Sequence, residues 1–228
     1  MTDTAPLTDP IRNSLTGIQS RFAQTRGRIT RYQPDVSVFY GHPAELTADD
    51  YADAAALAGR DATVLLRDRR TPLPAGWRVV ETIGLVQLSG EAFETEPGDG
   101  TVVALTAADV PEMTALVRRT EPGPFLPRTI ELGTYLGVRG AGGALVAMAG
   151  ERMRPGGWTE ISAVCTAPEA RGRGIATRLM RAVGAGVRAR GEQPFLHTGA
   201  DNPAQRMYHA LGFVTVSEVA LEIVRPVS

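Results

Sequence analysis

The chain has 228 residues, a formal net charge of −1 and 43% hydrophobic residues, an ordinary globular composition for one large or two small domains. The near-neutral charge argues against a dedicated nucleic-acid-binding protein, because such proteins normally carry a surplus of basic residues. Lysine does not occur in the sequence, so mechanisms that depend on a lysine nucleophile or Schiff base are excluded.

The first ninety residues predict a mixed α/β unit in which no chemical motif is recognisable. Apolar stripes at helical spacing predict two helices, and runs rich in β-branched or aromatic residues predict four strands. The helices lie within 11–22 and 47–59, and the strands at 36–40, 64–66, 77–81 and 85–88. The acidic, turn-rich segment 91–100 is predicted to be a linker. We therefore expect an N-terminal α/β domain at 1–90 and a second domain at 101–228.

Residues 101–228 predict alternating strands and helices that include one hairpin. The strands are predicted at 102–105, 135–138, 144–148, 160–166, 194–198 and 214–223, and the helices begin near Thr106, Ala176 and Pro203. The glycine run at 140–143 is flanked by strands on both sides, which favours a hairpin turn over a phosphate-binding loop. Asp201 or Asn202 can cap the last helix, with Pro203 at its first position.

A glycine-rich turn lies between the predicted strand at 160–166 and the helix that follows it. The first amides of a helix have no internal partner, and the helix dipole adds positive potential there. Gly172 and Gly174 would let an anion approach the main chain without a Cβ in the way. Such a site suits a phosphate, most simply a pyrophosphate. An ordinary turn that binds no ligand is the alternative, since short glycine-rich turns often precede helices and neither the P-loop nor the dinucleotide-binding fingerprint is present.

Two motifs in order carry a resemblance to a known family. The first is Arg-x-x-Gly-x-Ala from Arg171 to Ala176, and the second is the ending Asn-Pro-Ala…Tyr-x-x-x-Gly-Phe from Asn202 to Phe213. Together they resemble the GNAT superfamily of N-acyltransferases, and they are especially similar to its glycine N-acyltransferase-like, FR47-like branch. The resemblance covers about the C-terminal half and implies the GNAT fold, an α/β fold with a mixed central sheet flanked by helices. One interpretation of the N-terminal domain is a degenerate copy of that fold.

The resemblance implies acetyl-CoA as cosubstrate and no metal. The coenzyme pyrophosphate would lie on the amides of the glycine-rich loop. The pantetheine arm would lie in a cleft where two strands splay apart, one ending near Thr166 and the other starting near Pro194. The residues expected to bind coenzyme are Val164, Cys165, Thr166, Arg171, Gly172, Arg173, Gly174, Ile175, Ala176, Thr177 and Asn202. Asp201 stands where the family usually has Asn, so helix capping is the alternative role for Asn202.

Acyl transfer to an amine needs only a general acid and a general base, because a free amine attacks a thioester directly. The resemblance implies Tyr208 as the acid that protonates the leaving thiolate, and its alternative is a core aromatic. Glu160 is the candidate base, and its alternative is an ordinary carboxylate at a strand edge. His197 is expected to pack rather than to shuttle protons, and Cys165 is expected to be buried and inert.

We therefore expect an N-acetyltransferase that acts on a small-molecule or peptide amine. The alternatives are a non-catalytic acyl-CoA-binding or sensor module and a protein–protein adaptor that needs no ligand. The acceptor site is expected from residues 122–132, the strands around Arg152 and the N-terminal domain. A homodimer is left open, whereas nucleic-acid and membrane partners are not expected. The single cysteine and the absence of a visible signal peptide predict a cytoplasmic protein.

Overall fold

The computed structural model describes residues 2–59 and 63–227. The α-helices in this part of the chain are α1 (Pro10–Leu15), α2 (Ala48–Ala58), α3 (Val110–Thr120), α4 (Ile175–Ala189) and α5 (Gln205–Ala210). The strands are β1 (Ala23–Arg26), β2 (Ile29–Tyr32), β3 (Tyr40–Gly41), β4 (Val64–Arg67), β5 (Trp77–Ser89), β6 (Val102–Ala104), β7 (Tyr135–Arg139), β8 (Leu145–Glu151), β9 (Trp158–Thr166), β10 (Gln193–Gly199) and β11 (Val214–Pro226). None of the described helices combines the length and apolar character needed to cross a membrane.

An eight-stranded sheet in the order β4-β11-β5-β10-β9-β8-β7-β6 forms the centre of the structure, and β1, β2 and β3 form a second, smaller sheet. Neighbouring strands of the large sheet are antiparallel except β9 and β10, which are parallel. The predicted mixed sheet flanked by helices is therefore confirmed.

The predicted boundary between residues 1–90 and 101–228 does not follow this sheet. Strand β5 pairs with β11 along its whole length and with β10 along its other edge, so a strand of the first segment lies inside the sheet of the second. Strand β4 pairs with β11 as well. The predicted boundary missed this pairing because strand partners that are distant in sequence leave no local signal, and a degenerate copy within residues 1–90 stays a prediction.

Helices α4 and α5 cover one face of the large sheet, and α3 and the N-terminal segment (residues 2–41) cover the other. Successive residues of a strand point to opposite faces. Ala147 packs with α4, whereas Met148 packs with α3. On β10, Leu196 packs with α4, whereas Phe195 packs with the N-terminal segment. Burying one such leucine or phenylalanine side chain stabilises the fold by about 1.5–3 kcal/mol.

Side-chain hydrogen bonds attach the N-terminal segment to the β8–β9 connection. Gln19 Nε2 donates to the carbonyl of Arg152 at 2.6 Å and to that of Leu132 at 3.2 Å. The hydroxyl of Tyr32 donates to Gln19 Oε1 at 2.7 Å. At the start of the chain, Trp158 Nε1 donates to the carbonyl of Asp3 at 2.8 Å. The segment is therefore positioned by polar contacts as well as by its apolar cluster.

The structure confirms helix α2, which the local sequence signals predict. The side chain of its N-cap, Thr47, accepts a hydrogen bond from the amide of Asp50, whose carboxylate accepts one back from the Thr47 amide. Such a reciprocal pair satisfies two amides that the first turn leaves open. Gly59 follows the last turn with a φ of 84°, a conformation that favours glycine.

Five other predicted elements differ from the structure. The helix within 11–22 ends at Leu15, and α5 begins at Gln205, two residues after the predicted first position. The predicted strand at 36–40 pairs only from Tyr40, because Val36 and Phe39 are buried in the apolar cluster of the N-terminal segment. The two strands predicted at 77–81 and 85–88 are one strand, β5, since its pairing with β11 continues through the residues between them.

A chain that begins at Gly100 should not fold. It lacks β4 and β5, so β10 and β11 lose the strand that joins them and expose edges with unpaired backbone groups. Circular dichroism and thermal unfolding, with the full-length chain as control, should show no cooperative transition for the shortened chain. A cooperative transition in the shortened chain would contradict the role that the topology gives to β5.

Candidate functional site

The cleft begins where β9 and β10 part. Their parallel pairing covers three residue pairs and ends with Phe195 opposite Glu160. Ala163 has a φ of 52°, and the register between β8 and β9 shifts in this region. Such a bulge bends a strand away from its ladder. A cavity of about 1090 Å³ opens between the two strands, so the predicted splay is confirmed.

A glycine-rich loop joins β9 to α4 at the edge of this cavity. Gly172 and Gly174 have φ values of 75° and 70°, and a Cβ built on either meets no atom within 4 Å. The amides of residues 174–177 make no hydrogen bond within the described chain. Arg171 Nε holds the loop in place by donating to the carbonyl of Thr166 at 3.2 Å. Open space in front of free amides at the start of a 15-residue helix is an arrangement that binds anions.

Most of the residues predicted for the site come together around the cavity. Those that line it are Val164, Cys165, Thr166, Arg171, Gly172, Arg173, Gly174, Ile175, Ala176, Thr177, Asn202 and Tyr208. Asn202 Oδ1 accepts a hydrogen bond from the amide of Ala204 at 2.9 Å, so its side chain does cap the turn before α5. Whether these residues contact coenzyme stays a prediction.

Tyr208 presents a proton donor to the cavity. Its side chain is buried on α5, and its hydroxyl makes no hydrogen bond among the described residues. Burial raises the pKa of the phenol, so the group is protonated at neutral pH. Cys165, which also lines the cavity, is different, because burial raises the pKa of its thiol to about 11 and leaves no thiolate for nucleophilic attack.

A buried charged cluster lies where the two strands part. The carboxylate of Glu160 has no exposure and accepts two hydrogen bonds from Arg152, at 2.7 and 2.8 Å. His197 Nδ1 lies 2.8 Å from Glu160 Oε1. Burial alone would raise the pKa of Glu160, but Arg152 and His197 outweigh that effect and hold the pKa below its usual range. The carboxylate is therefore ionised in the folded protein.

This geometry does not give Glu160 the direct contact expected of a base. Glu160 itself does not line the cavity, whereas Arg152 and His197 do. Both carboxylate oxygens are engaged by these two side chains. A role in proton transfer would have to pass through one of them.

The end of the cavity near His197 is walled by apolar side chains, and most of them come from the N-terminal region that the sequence predicts to contribute to the acceptor site. They are Val38, Phe39, Leu65, Ile83, Leu85, Leu221 and Ile223. Of the predicted acceptor segment 122–132, residues 122–124 line the cavity. Arg152 lies with its guanidinium carbon 4.8 Å from the ring centre of Phe39. These walls follow from the position of β5 between β10 and β11, which local sequence signals do not reveal.

The chain is similar to one protein family and to solved structures of acetyltransferases. The FR47-like protein family matches residues 135–220. An acetyltransferase assigned to the GNAT family, from Novosphingobium aromaticivorans, is 39% identical with a TM-score of 0.86, over 98% of this chain and 99% of that chain. A GCN5-related N-acetyltransferase from Kribbella flavida is 18% identical with a TM-score of 0.58, over 96% of this chain and 93% of that chain, which is a likeness of fold. No functionally curated protein matches the sequence significantly. The glycine N-acyltransferase-like branch stays a prediction.

The change Glu160→Gln should lower the free energy of unfolding at neutral pH by about 3–5 kcal/mol, because it leaves the Arg152 charge buried without its partner. The folded-state pKa of Glu160 lies below its ordinary value of 4.5. Its contribution to stability is therefore complete above pH 4.5 and is lost as the pH falls further. Urea unfolding from pH 7 to pH 3 should show this loss in the wild type and a shallower dependence in the variant.

The exposed ion pair of Glu169 with Arg119 provides the control. The change Glu169→Gln should alter stability little at any pH, because water screens that pair. Equal effects of the two changes would contradict the structural role of the buried cluster.

Proposed function

The chain belongs to the GNAT family of acetyltransferases, and from that premise we propose that it transfers an acetyl group from acetyl-CoA to a primary amine. The observation that carries the proposal is the single cavity shared by the glycine-rich loop, the open edge of β9 and Tyr208. The family's members are acetyltransferases, so the alternatives of a sensor module and an adaptor are set aside. We also propose a cytoplasmic location, for which the lone, buried Cys165 is the support.

The residues present fit coenzyme A. The free amides of residues 174–177 and the open space at Gly172 and Gly174 suit its pyrophosphate. Among the described residues, strand β9 has no partner strand on the β10 side from Ile161 to Thr166, so its backbone groups there can hydrogen bond to the amides of the pantetheine arm. When bound, acetyl-CoA supplies an activated acyl group as a thioester.

Direct transfer to the amine agrees with the chemistry of the cavity. The high pKa of Cys165 disfavours a covalent acyl-enzyme, so the amine nitrogen attacks the thioester carbonyl itself. Tyr208 keeps its proton at neutral pH and gives it to the thiolate as the carbon–sulfur bond breaks. Glu160 contributes as a fixed negative charge behind His197 rather than by touching the amine.

The change Gly174→Asp should abolish acetyl-CoA binding, because it places a Cβ and a negative charge where the pyrophosphate would lie. Calorimetric titration measures the affinity. Gly191→Asp is the matched control, since Gly191 follows the same helix with a φ of 77° and equally open surroundings. Both variants carry the same backbone strain, but only the first should lose binding. Unchanged affinity in Gly174→Asp would falsify the loop assignment.

The change Tyr208→Phe should lower kcat about 100-fold with little change in acetyl-CoA affinity, because it removes the proton donor and keeps the ring. Release of free coenzyme A in the presence of an amine is the measurement. Tyr51→Phe on α2 is the control, since that hydroxyl is buried, has no hydrogen-bond partner in the described part of the chain and lies outside the cavity. A wild-type kcat in Tyr208→Phe would return Tyr208 to the role of a core aromatic.

A further inference from the structure

We propose that His197 Nε2 accepts the proton of the attacking amine, with Glu160 and Arg152 as positioning residues. This inference rests on the proposed function and names the base for that same site. It differs from the expectation that His197 merely packs, and it gives the buried carboxylate a way to act on the cavity.

The hydrogen bond to Glu160 fixes the tautomer of His197. An ionised carboxylate has only acceptor oxygens, and Arg152 keeps Glu160 ionised. Nδ1 of His197 must therefore carry the hydrogen of the 2.8 Å contact. In the neutral ring, this leaves Nε2 with a lone pair that can receive a proton.

Nε2 is the second ring nitrogen of His197, a residue that lines the cavity. It makes no hydrogen bond among residues 2–59 and 63–227. Phe195 packs against the ring edge-on, with 5.7 Å between ring centres, and restricts its rotation. The ring is thus held at Nδ1 by Glu160, and Nε2 remains without a partner among the described residues.

The surroundings of His197 keep the ring neutral. Burial lowers its pKa, and Arg67 on β4 and Arg152 in the β8–β9 connection lower it further, while Glu160 on β9 raises it. The balance leaves the pKa below its ordinary value of 6.5. A neutral imidazole at pH 7 is the form that a general base needs.

The step conserves atoms and charge. The amine lone pair forms the nitrogen–carbon bond to the thioester carbonyl carbon, and one proton of the amine passes to His197 Nε2. As the carbon–sulfur bond breaks, Tyr208 gives its hydroxyl proton to the sulfur. The proton on His197 then returns to the Tyr208 phenolate through solvent, so the products are the amide and free coenzyme A.

The changes His197→Gln and His197→Ala should each lower kcat/KM about 100-fold or more and leave acetyl-CoA affinity unchanged. Added imidazole should partly restore turnover in His197→Ala, because it can occupy the space of the lost ring. His209→Ala is the control, since His209 is exposed and lies outside the cavity. Wild-type turnover in both His197 variants, with coenzyme binding intact, would overturn the inference and leave the proposed function standing.

The pH dependence separates a base from a packing residue. In the wild type, kcat/KM should fall as the pH drops through the lowered pKa of His197, below 6.5. This acid limb should be absent in His197→Gln. It should move to lower pH in Glu160→Gln, because the carboxylate raises the pKa of the ring. An unmoved acid limb in both variants would contradict the inference.

Nitrogen NMR of the wild type tests the tautomer without any substrate. Neutral His197 with its hydrogen on Nδ1 at pH 7 is the expected result, and an imidazolium or an Nε2–H tautomer would overturn the inference even if the variants fail to fold. Absence of coenzyme A release by the wild type with every amine tried would instead overturn the proposed function, and this inference with it.

We infer from a separate observation, the composition of the cavity wall, that the acceptor is a primary amine with an apolar, uncharged body. Seven aliphatic or aromatic side chains line one part of the cavity, and six of them belong to the apolar cluster of Phe195, whose ring packs against His197. Among the described residues that line the cavity, Glu121 is the single carboxylate, and it lies on the exposed turn after α3. A second ammonium group in the acceptor would lose its water without gaining a partner. Burial also lowers the pKa of the reacting ammonium, which favours its transfer of a proton to imidazole.

Hexylamine and 1,6-diaminohexane test this selectivity, because they differ chiefly in the second ammonium group. The full-length enzyme should release coenzyme A with hexylamine at a kcat/KM at least about tenfold higher. Equal values, a reversed preference, or turnover of spermidine but not hexylamine would overturn the apolar acceptor while leaving acetyl transfer established. If neither these amines nor any other amine led to release of coenzyme A, that result would contradict the proposed function itself.

Discussion

The fully buried carboxylate of Glu160 constrains the structure around it more than any other single group. Moving an ion such as Glu160 into the interior costs several kcal/mol, so its partner must be held in place with little freedom. Arg152 meets this requirement from the β8–β9 connection, and its own guanidinium lies over Phe39 of the N-terminal segment. The ion pair therefore brings together the sheet, the connection and a segment more than one hundred residues earlier in the chain.

The same cluster lies at the vertex of the cleft. Glu160 occupies the last paired position of β9 against β10, and His197 is two residues beyond Phe195 on the facing strand. Beyond this point the bulge at Ala163 turns β9 away, and the glycine-rich loop follows its end. One end of the cavity is thus lined by backbone amides suited to an anion, and the other by apolar side chains beside a single polar cluster. The point where the two strands part therefore determines how the amides of the glycine-rich loop are placed relative to the apolar end of the cavity.

The sequence predicts the parts of this site whose physics is local. The glycines at 172 and 174, the stripe of α4 and the cap of α2 all act within a few residues, so their signals survive in the linear chain. The hydrogen bonds of Glu160 are less visible, because Arg152 and His197 reach it across a hairpin and a neighbouring strand. The N-terminal region is an expected contributor to the acceptor site, but the individual residues of its walls are not visible in the sequence for the same reason. Leu65 and Leu85 become neighbours of the cleft only after β5 has entered the sheet.

The position of β5 also orders events during synthesis of the chain. Trp77 pairs with Pro226, and Ser89 pairs with both Phe195 and Val214, so the strand made early must wait for partners made last. Loop closure over such distances slows folding, because entropy is lost before the contacts that repay it can form. Until β10 leaves the ribosome, β5 has two open edges, and the edge that faces β11 stays open until that strand follows. The hairpin of β7 and β8 has no such delay, and we therefore expect it to form in the nascent chain before the strands around β5 pair.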